Sequence, residues 1–136
     1  MFVYEINRRQ MQNRKITDSE LEILQILWAN GPSTVRTIHE SLGTEKQTGY
    51  TTTLKLMQIM FEKGLLTRDA SSRTHIYAAA ISEQSGKQQA LDKIIDSVFK
   101  GSPTKLVMQA LGGYQPSTQE IDAIKAYLDE LQKQNP

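Results

Sequence analysis

The sequence predicts a mainly helical fold with one small β-hairpin, and three observations carry that expectation. Residues 15–64 hold apolar residues at helical spacing in three short runs, separated by Gly31-Pro32 and Gly43. Residues 65–80, LLTRDASSRTHIYAAA, change to a loose period of two around the turn-forming DASSR. Helical spacing then returns, broken at Gly101-Ser102-Pro103 and at Gly112-Gly113.

The first helix begins at a capping box, Thr17-Asp18-Ser19-Glu20, in which the threonine hydroxyl and the glutamate carboxylate satisfy first-turn amides reciprocally. Leu21, Leu24 and Trp28, flanked by Ile23 and Leu27, trace its buried face, and Gly31-Pro32 ends it near Asn30. Ser33 reads as the cap of a second, short helix with Val35, Ile38 and Leu42 inward and Gly43 as its stop. The third helix is GYTTTLKLMQIMFEK. Tyr50, Leu54, Met57 and Phe61 make its expected buried stripe with Met60 beside them, and Thr51, Thr52, Lys55, Gln58 and Glu62 face away. Gly64 ends it, and the hairpin follows.

Three short helices and a hairpin within about 65 residues form the arrangement of a winged helix-turn-helix. In that arrangement the N-terminal part of the third helix meets base edges in the major groove. Its first turn carries three consecutive threonines, which are mediocre helix formers because the branched Cβ loses rotamer freedom. At a groove they have a use: the hydroxyl donates or accepts, the methyl packs on a thymine methyl, and the stem is short. Thr51 and Thr52 point away from the stripe, whereas Thr53 falls nearer the core boundary. Lys55 reaches a phosphate or a guanine edge, and Gln58 an adenine. The hairpin carries Arg68, Arg73 and His75, suited to phosphates that position a module without specifying sequence. Lys46 and Arg36 add backbone contacts.

Composition narrows the alternatives. The chain has 136 residues, a net charge of +1 and no cysteine, which excludes disulfides, thiolate metal sites and cysteine nucleophiles. The histidines are His39 and His75, and no spacing resembles a metal site, a nucleophile elbow or a phosphate loop. No enzyme, metal or cofactor is expected. His39 reads as lying on the polar side of the second helix. No apolar run approaches the ~20 residues needed to span a bilayer, so a cytoplasmic protein without membrane insertion is the default. Residues 1–14 read as a flexible extension, with Arg8, Arg9, Arg14 and Lys15 as a basic arm.

The remainder, 81–136, reads as a helical dimerisation domain. A helix over 82–100 has Leu91, Ile94, Ile95, Val98 and Phe99 on its apolar side, and TKLVMQAL, 104–111, gives a short one containing Leu106 and Val107. The last helix starts at Ser117-Thr118-Gln119-Glu120 and sets Ile121, Ile124, Leu128 and Leu131 at i, i+3, i+7 and i+10. That narrow seam calls for a partner of similar shape, and a twofold dimer supplies one. The DNA-binding domain is expected over 15–80. A winged-helix protein-interaction module without a DNA ligand is the alternative from the residues alone.

Three segments, ITDSELEILQILWANGPSTVRTI at 16–38, GYTTTLKLMQIMFEKGLLTR at 49–68 and VFKGSPTKLVMQAL at 98–111, resemble the penicillinase repressor (BlaI/MecI-type) family of bacterial transcription factors. The resemblance implies a dimeric winged-helix repressor of inverted-repeat operators at β-lactam-resistance or related genes. It implies DNA contacts at Thr51, Thr52, Lys55, Arg68 and Arg73, and a membrane-bound sensor protease as a further partner. Staphylococcal-type members are cut at an Asn-Phe bond; here that register holds Gln109-Ala110, and the chain contains no Asn-Phe. The copper-responsive members' cysteine motif is absent as well.

Overall fold

The computed structural model describes residues 15–43 and 49–135. The expected extension over 1–14 and the expected backbone contact Lys46 lie outside the described residues. The chain divides into two compact units, Met1–Leu91 and Asp92–Pro136. Its described elements run α1 (Asp18–Asn30), α2 (Val35–Leu42), α3 (Tyr50–Glu62), β1 (Leu66–Asp69), β2 (Ile76–Ala79), α4 (Glu83–Val98), α5 (Pro103–Gly112) and α6 (Thr118–Gln134).

The capping box at α1 forms as expected, with the Thr17 hydroxyl accepting from the Glu20 amide and the Glu20 carboxylate accepting from the Thr17 amide. Glu20 is only 2% exposed, and Lys63, just past the end of α3, donates to both its oxygens at 2.7 and 2.9 Å. The Lys63 ammonium also donates to the Lys15 carbonyl. A buried carboxylate is costly unless paired, so this pair ties the start of α1 to the end of α3.

The cap of α2 differs from the sequence expectation. Thr34, not Ser33, caps the helix, its hydroxyl accepting from the Thr37 amide. Ser33 is buried because its backbone is in use elsewhere: its amide donates to Tyr77 and its carbonyl accepts from Tyr77, at 2.9 and 2.8 Å. This one-residue bridge joins the α1–α2 connection to β2. In the antiparallel hairpin itself Leu66 faces Ala79, Arg68 faces Tyr77 and Asp69 faces Ile76.

The core of the first unit comprises Ile23, Leu24 and Leu27 of α1, Val35 and Ile38 of α2, Met57 and Met60 of α3, and Leu65, Leu66, Tyr77 and Ile81 around the hairpin. Trp28 packs at its edge and donates its indole N–H to the Ile81 carbonyl at 3.0 Å. Gly86 in α4 lies against the same ring, where a Cβ would sit 2.4 Å from Cη2. Glycine weakens a helix interior by about 1 kcal/mol relative to alanine, and close approach to the indole is the reason for it here.

In the second unit, α5 is capped by the Ser102 hydroxyl with Pro103 in its first turn. Helix α6 starts at Ser117 as expected, and Ser117 and Glu120 form a full capping box there. Ile95 is buried. Ile121, Leu128 and Leu131 are exposed, and Ile124 is half-buried. No helix among the described residues is long and apolar enough to cross a membrane.

Candidate nucleic-acid interface

The third helix decides what the first unit presents. Its buried residues are Thr53, Met57 and Met60, with Leu54 and Phe61 half-buried. The expected stripe is therefore rotated. Tyr50 does not belong to it, being 42% exposed, and Thr53, at 1%, does. The reason is a polar contact that spacing does not reveal: the Thr53 hydroxyl lies 2.9 Å from His39 Nδ1. A buried hydroxyl needs a hydrogen-bond partner, and with one supplied it is accepted in the interior.

Thr51, Thr52, Lys55 and Gln58 are all exposed, on the face opposite that buried stripe. Gly49 occupies the N-cap in an extended conformation and offers no side-chain bond to the first-turn amides. Of the first-turn amides, that of Thr52 donates to the Gly49 carbonyl at 3.1 Å, and the positive end of the helix dipole lies with them. This end of α3 thus combines two short hydroxyl side chains, a cation and the positive end of the helix dipole, which suits a phosphate-lined groove.

Tyr50 is held at the surface by two neighbours on α2. The Arg36 guanidinium lies over its ring at 5.6 Å from the centroid, and the His39 ring meets it edge-on at 5.8 Å and 85°. In the hairpin, Arg73 is exposed in the turn and His75 is half-buried. The Asp69 carboxylate accepts from the Ser71 amide at 2.9 Å, which fixes the turn and holds that carboxyl below its ordinary range. Arg68 is half-buried, its guanidinium 4.2 Å from the Phe61 ring centroid. Sequence reasoning grouped Arg68 with Arg73. The geometry separates them: Arg68 joins the base of the wing to α3, and Arg73 extends into solvent.

Three signals escaped the sequence reading: the His39–Thr53 bond, the Arg36–Tyr50–His39 stack, and the Arg68–Phe61 stack. Each joins residues of different elements, so no spacing along one helix betrays it. His39 is half-buried rather than on an open polar face. Among the described residues no group of acidic and histidine side chains is arranged to hold a metal ion.

A three-helix core, an outward third-helix N-terminus and a flanking basic hairpin define a winged-helix DNA-binding regulator. Residues 16–130 match the penicillinase repressor family, and the chain belongs to that family of DNA-binding transcriptional repressors. It is 22% identical over 116 residues to the methicillin resistance regulatory protein MecI of Staphylococcus aureus, covering 85% of this chain and 94% of that one. It is 25% identical over 122 residues to the transcriptional regulator BlaI of Mycobacterium tuberculosis, covering 87% and 86%. Among solved structures it is similar to reduced AbfR bound to DNA, with a TM-score of 0.43, 20% identity, and 82% and 83% of the two chains covered. Family membership decides between the two sequence readings in favour of a DNA ligand.

Proposed function

We propose that this repressor binds twofold-symmetric operators as a homodimer, with residues 15–80 reading DNA and residues 81–136 pairing the protomers. The observation that carries the reading is the exposure of Thr51, Thr52, Lys55 and Gln58 together on the face of α3 opposite its buried stripe. Thr51 and Thr52 meet base edges, Lys55 a guanine edge or phosphate, and Gln58 an adenine. Arg73 and His75 hold phosphates from the wing, and Arg68 directs its remaining N–H groups to the backbone while stacked on Phe61.

For the dimer, Leu91, Val107, Ile121, Leu128 and Leu131 are exposed, with Leu106 and Ile124 half-buried. Apolar side chains at that seam spacing favour a matching helix over water. Ile95, 7% exposed, supports the fold of its own chain more than the pairing. The regulated genes are those of β-lactam resistance or related responses, the names of the relatives being the support. The site of action is the cytoplasm, where the DNA lies. A membrane-bound sensor protease relieves repression by cutting the second unit; Gln109 and Ala110, both exposed on α5, mark the bond in the family register.

A gel-shift series with DNA from the protein's own upstream region tests the reading. Retardation should be sequence-selective and fall steeply with salt, because several phosphate contacts release counterions. No retardation, or none that distinguishes a shuffled duplex, sinks it.

A further inference from the structure

We infer that His39 is a positioning residue for sequence readout: it fixes the roll of the recognition helix at its first turn without itself touching DNA. The inference rests on the DNA-reading role proposed for α3.

Helix α3 is held at two levels along its axis. Met57 and Met60 anchor it in the core, about 6–10 Å along the axis from Thr53 at 1.5 Å rise per residue, and apolar packing is not directional. At the first turn Gly49 gives no side-chain cap. From α2, one imidazole makes two contacts with that turn. Its Nδ1 bonds the Thr53 hydroxyl at 2.9 Å and its ring edge meets Tyr50 at 5.8 Å. Tyr50 and Thr53 stand three residues apart and so share a face. Thr51 and Thr52, the side chains proposed to read bases, occupy the residues between them. Rotating the turn enough to bring either threonine inward would break the hydrogen bond and carry Tyr50 away from the His39 ring. Arg36, also of α2, lies over the Tyr50 ring at 5.6 Å from its centroid. A hydrogen bond is directional, with a preferred angle above 150°, so it sets orientation where hydrophobic contact sets only proximity.

The consequence is separable from stability. Removing the bond leaves the number of phosphate contacts unchanged but blurs which base edges Thr51 and Thr52 meet. The experiment uses the full chain and its His39→Ala, His39→Asn and Thr53→Val variants, each measured where circular dichroism finds it folded. The probe is the tightest duplex recovered from a randomised pool, against a shuffled duplex of the same composition. His39→Ala and Thr53→Val should lower the specific-to-nonspecific ratio about five- to thirtyfold, the scale of one imperfect base contact. The slope of log K against log salt should stay that of the wild type. His39→Asn, whose amide nitrogen stands where Nδ1 does, should restore most of the ratio.

An unchanged ratio in His39→Ala and Thr53→Val overturns the inference, whatever their melting temperatures. A reduced salt slope in His39→Ala overturns it too, because the imidazole would then be a DNA contact. Failure of His39→Asn to restore the ratio rejects the directional bond. If His39→Ala does not fold, Thr53→Val carries the test, since it keeps side-chain volume while removing the hydroxyl. A wild-type chain that retards both duplexes equally overturns the sequence-specific reading itself, a separate failure that removes the role of His39 with it.

Discussion

At the scale of single residues, the proposed interface of this repressor divides into side chains that reach outward and side chains that hold them. Thr51, Thr52, Lys55 and Gln58 are exposed on one face of α3, so each is removable without opening the core. Thr51→Ala or Lys55→Ala should cost about 1–3 kcal/mol of discrimination if each makes a good base contact, read as the affinity ratio between operator and mismatched duplex. Unchanged ratios would assign specificity to other residues. The two wing arginines should behave differently. Arg73→Ala should weaken all duplexes alike and reduce the salt slope by about one. Arg68, stacked 4.2 Å from the Phe61 ring centroid, is held by its ring, so Arg68→Lys should lose affinity through the lost stack while leaving the salt slope in place. Equal slopes for the Arg68 and Arg73 variants would show that the two arginines share one role.

At the scale of elements, helix ends and close approaches carry the specificity of the fold. Gly86 is the clearest case: a Cβ there would sit 2.4 Å from Trp28 Cη2 and 2.7 Å from Cζ2. Gly86→Ala should therefore destabilise by about 1–2 kcal/mol, overpacking exceeding the gain in helix propensity. A lowered urea midpoint with an unchanged slope checks it, and a raised midpoint would mean that the indole moves aside freely. The start of α6 depends on acid. Glu120 accepts from the Ser117 amide at 3.0 Å and from the Tyr114 hydroxyl at 3.0 Å, and these bonds, the backbone one first, hold its carboxyl below the ordinary range. A carboxyl lowered in the fold contributes stability that is fully present above its unfolded value and lost as pH falls through the folded one. Acidification through that window should fray α6 from its N-terminus. Glu120→Gln should remove that part of the pH dependence, as followed by NMR of the Tyr114 and Ser117 amides.

At the scale of the whole molecule, the exposed apolar seam is the feature that one chain leaves unfinished. Leu128 is 52% exposed in the middle of a helix whose other faces are polar. Leu128→Asp should give monomers in sedimentation at micromolar concentration and, with one half-site bound per protein, a much weaker operator complex. An intact dimer would reject the seam and move the proposed pairing surface elsewhere on the second unit. The same variant should leave the first unit's melting little changed, because that unit's core is drawn from the elements between α1 and Ile81.

Read alone, the sequence determines the order of elements, most of their ends and the class of the protein. Capping boxes at Thr17 and Ser117, stops at Gly31 and Gly64, and the change from helical to alternating period at Leu65 are local signals, set by contacts a few residues apart. The third helix's outward threonines were legible for the same reason. What tertiary structure decided is the roll of that helix and the partners of its polar residues. Spacing placed Tyr50 inside and left Thr53 at the edge, and the structure reverses them, because His39 on α2 supplies the hydrogen bond that lets a threonine be buried. Ser33 likewise looked like a cap until Tyr77, forty-four residues on, took both its backbone groups. Helical periodicity fixes a face only to within a residue's turn of about 100°. The remaining angle is settled by which distant side chain can satisfy a buried polar group.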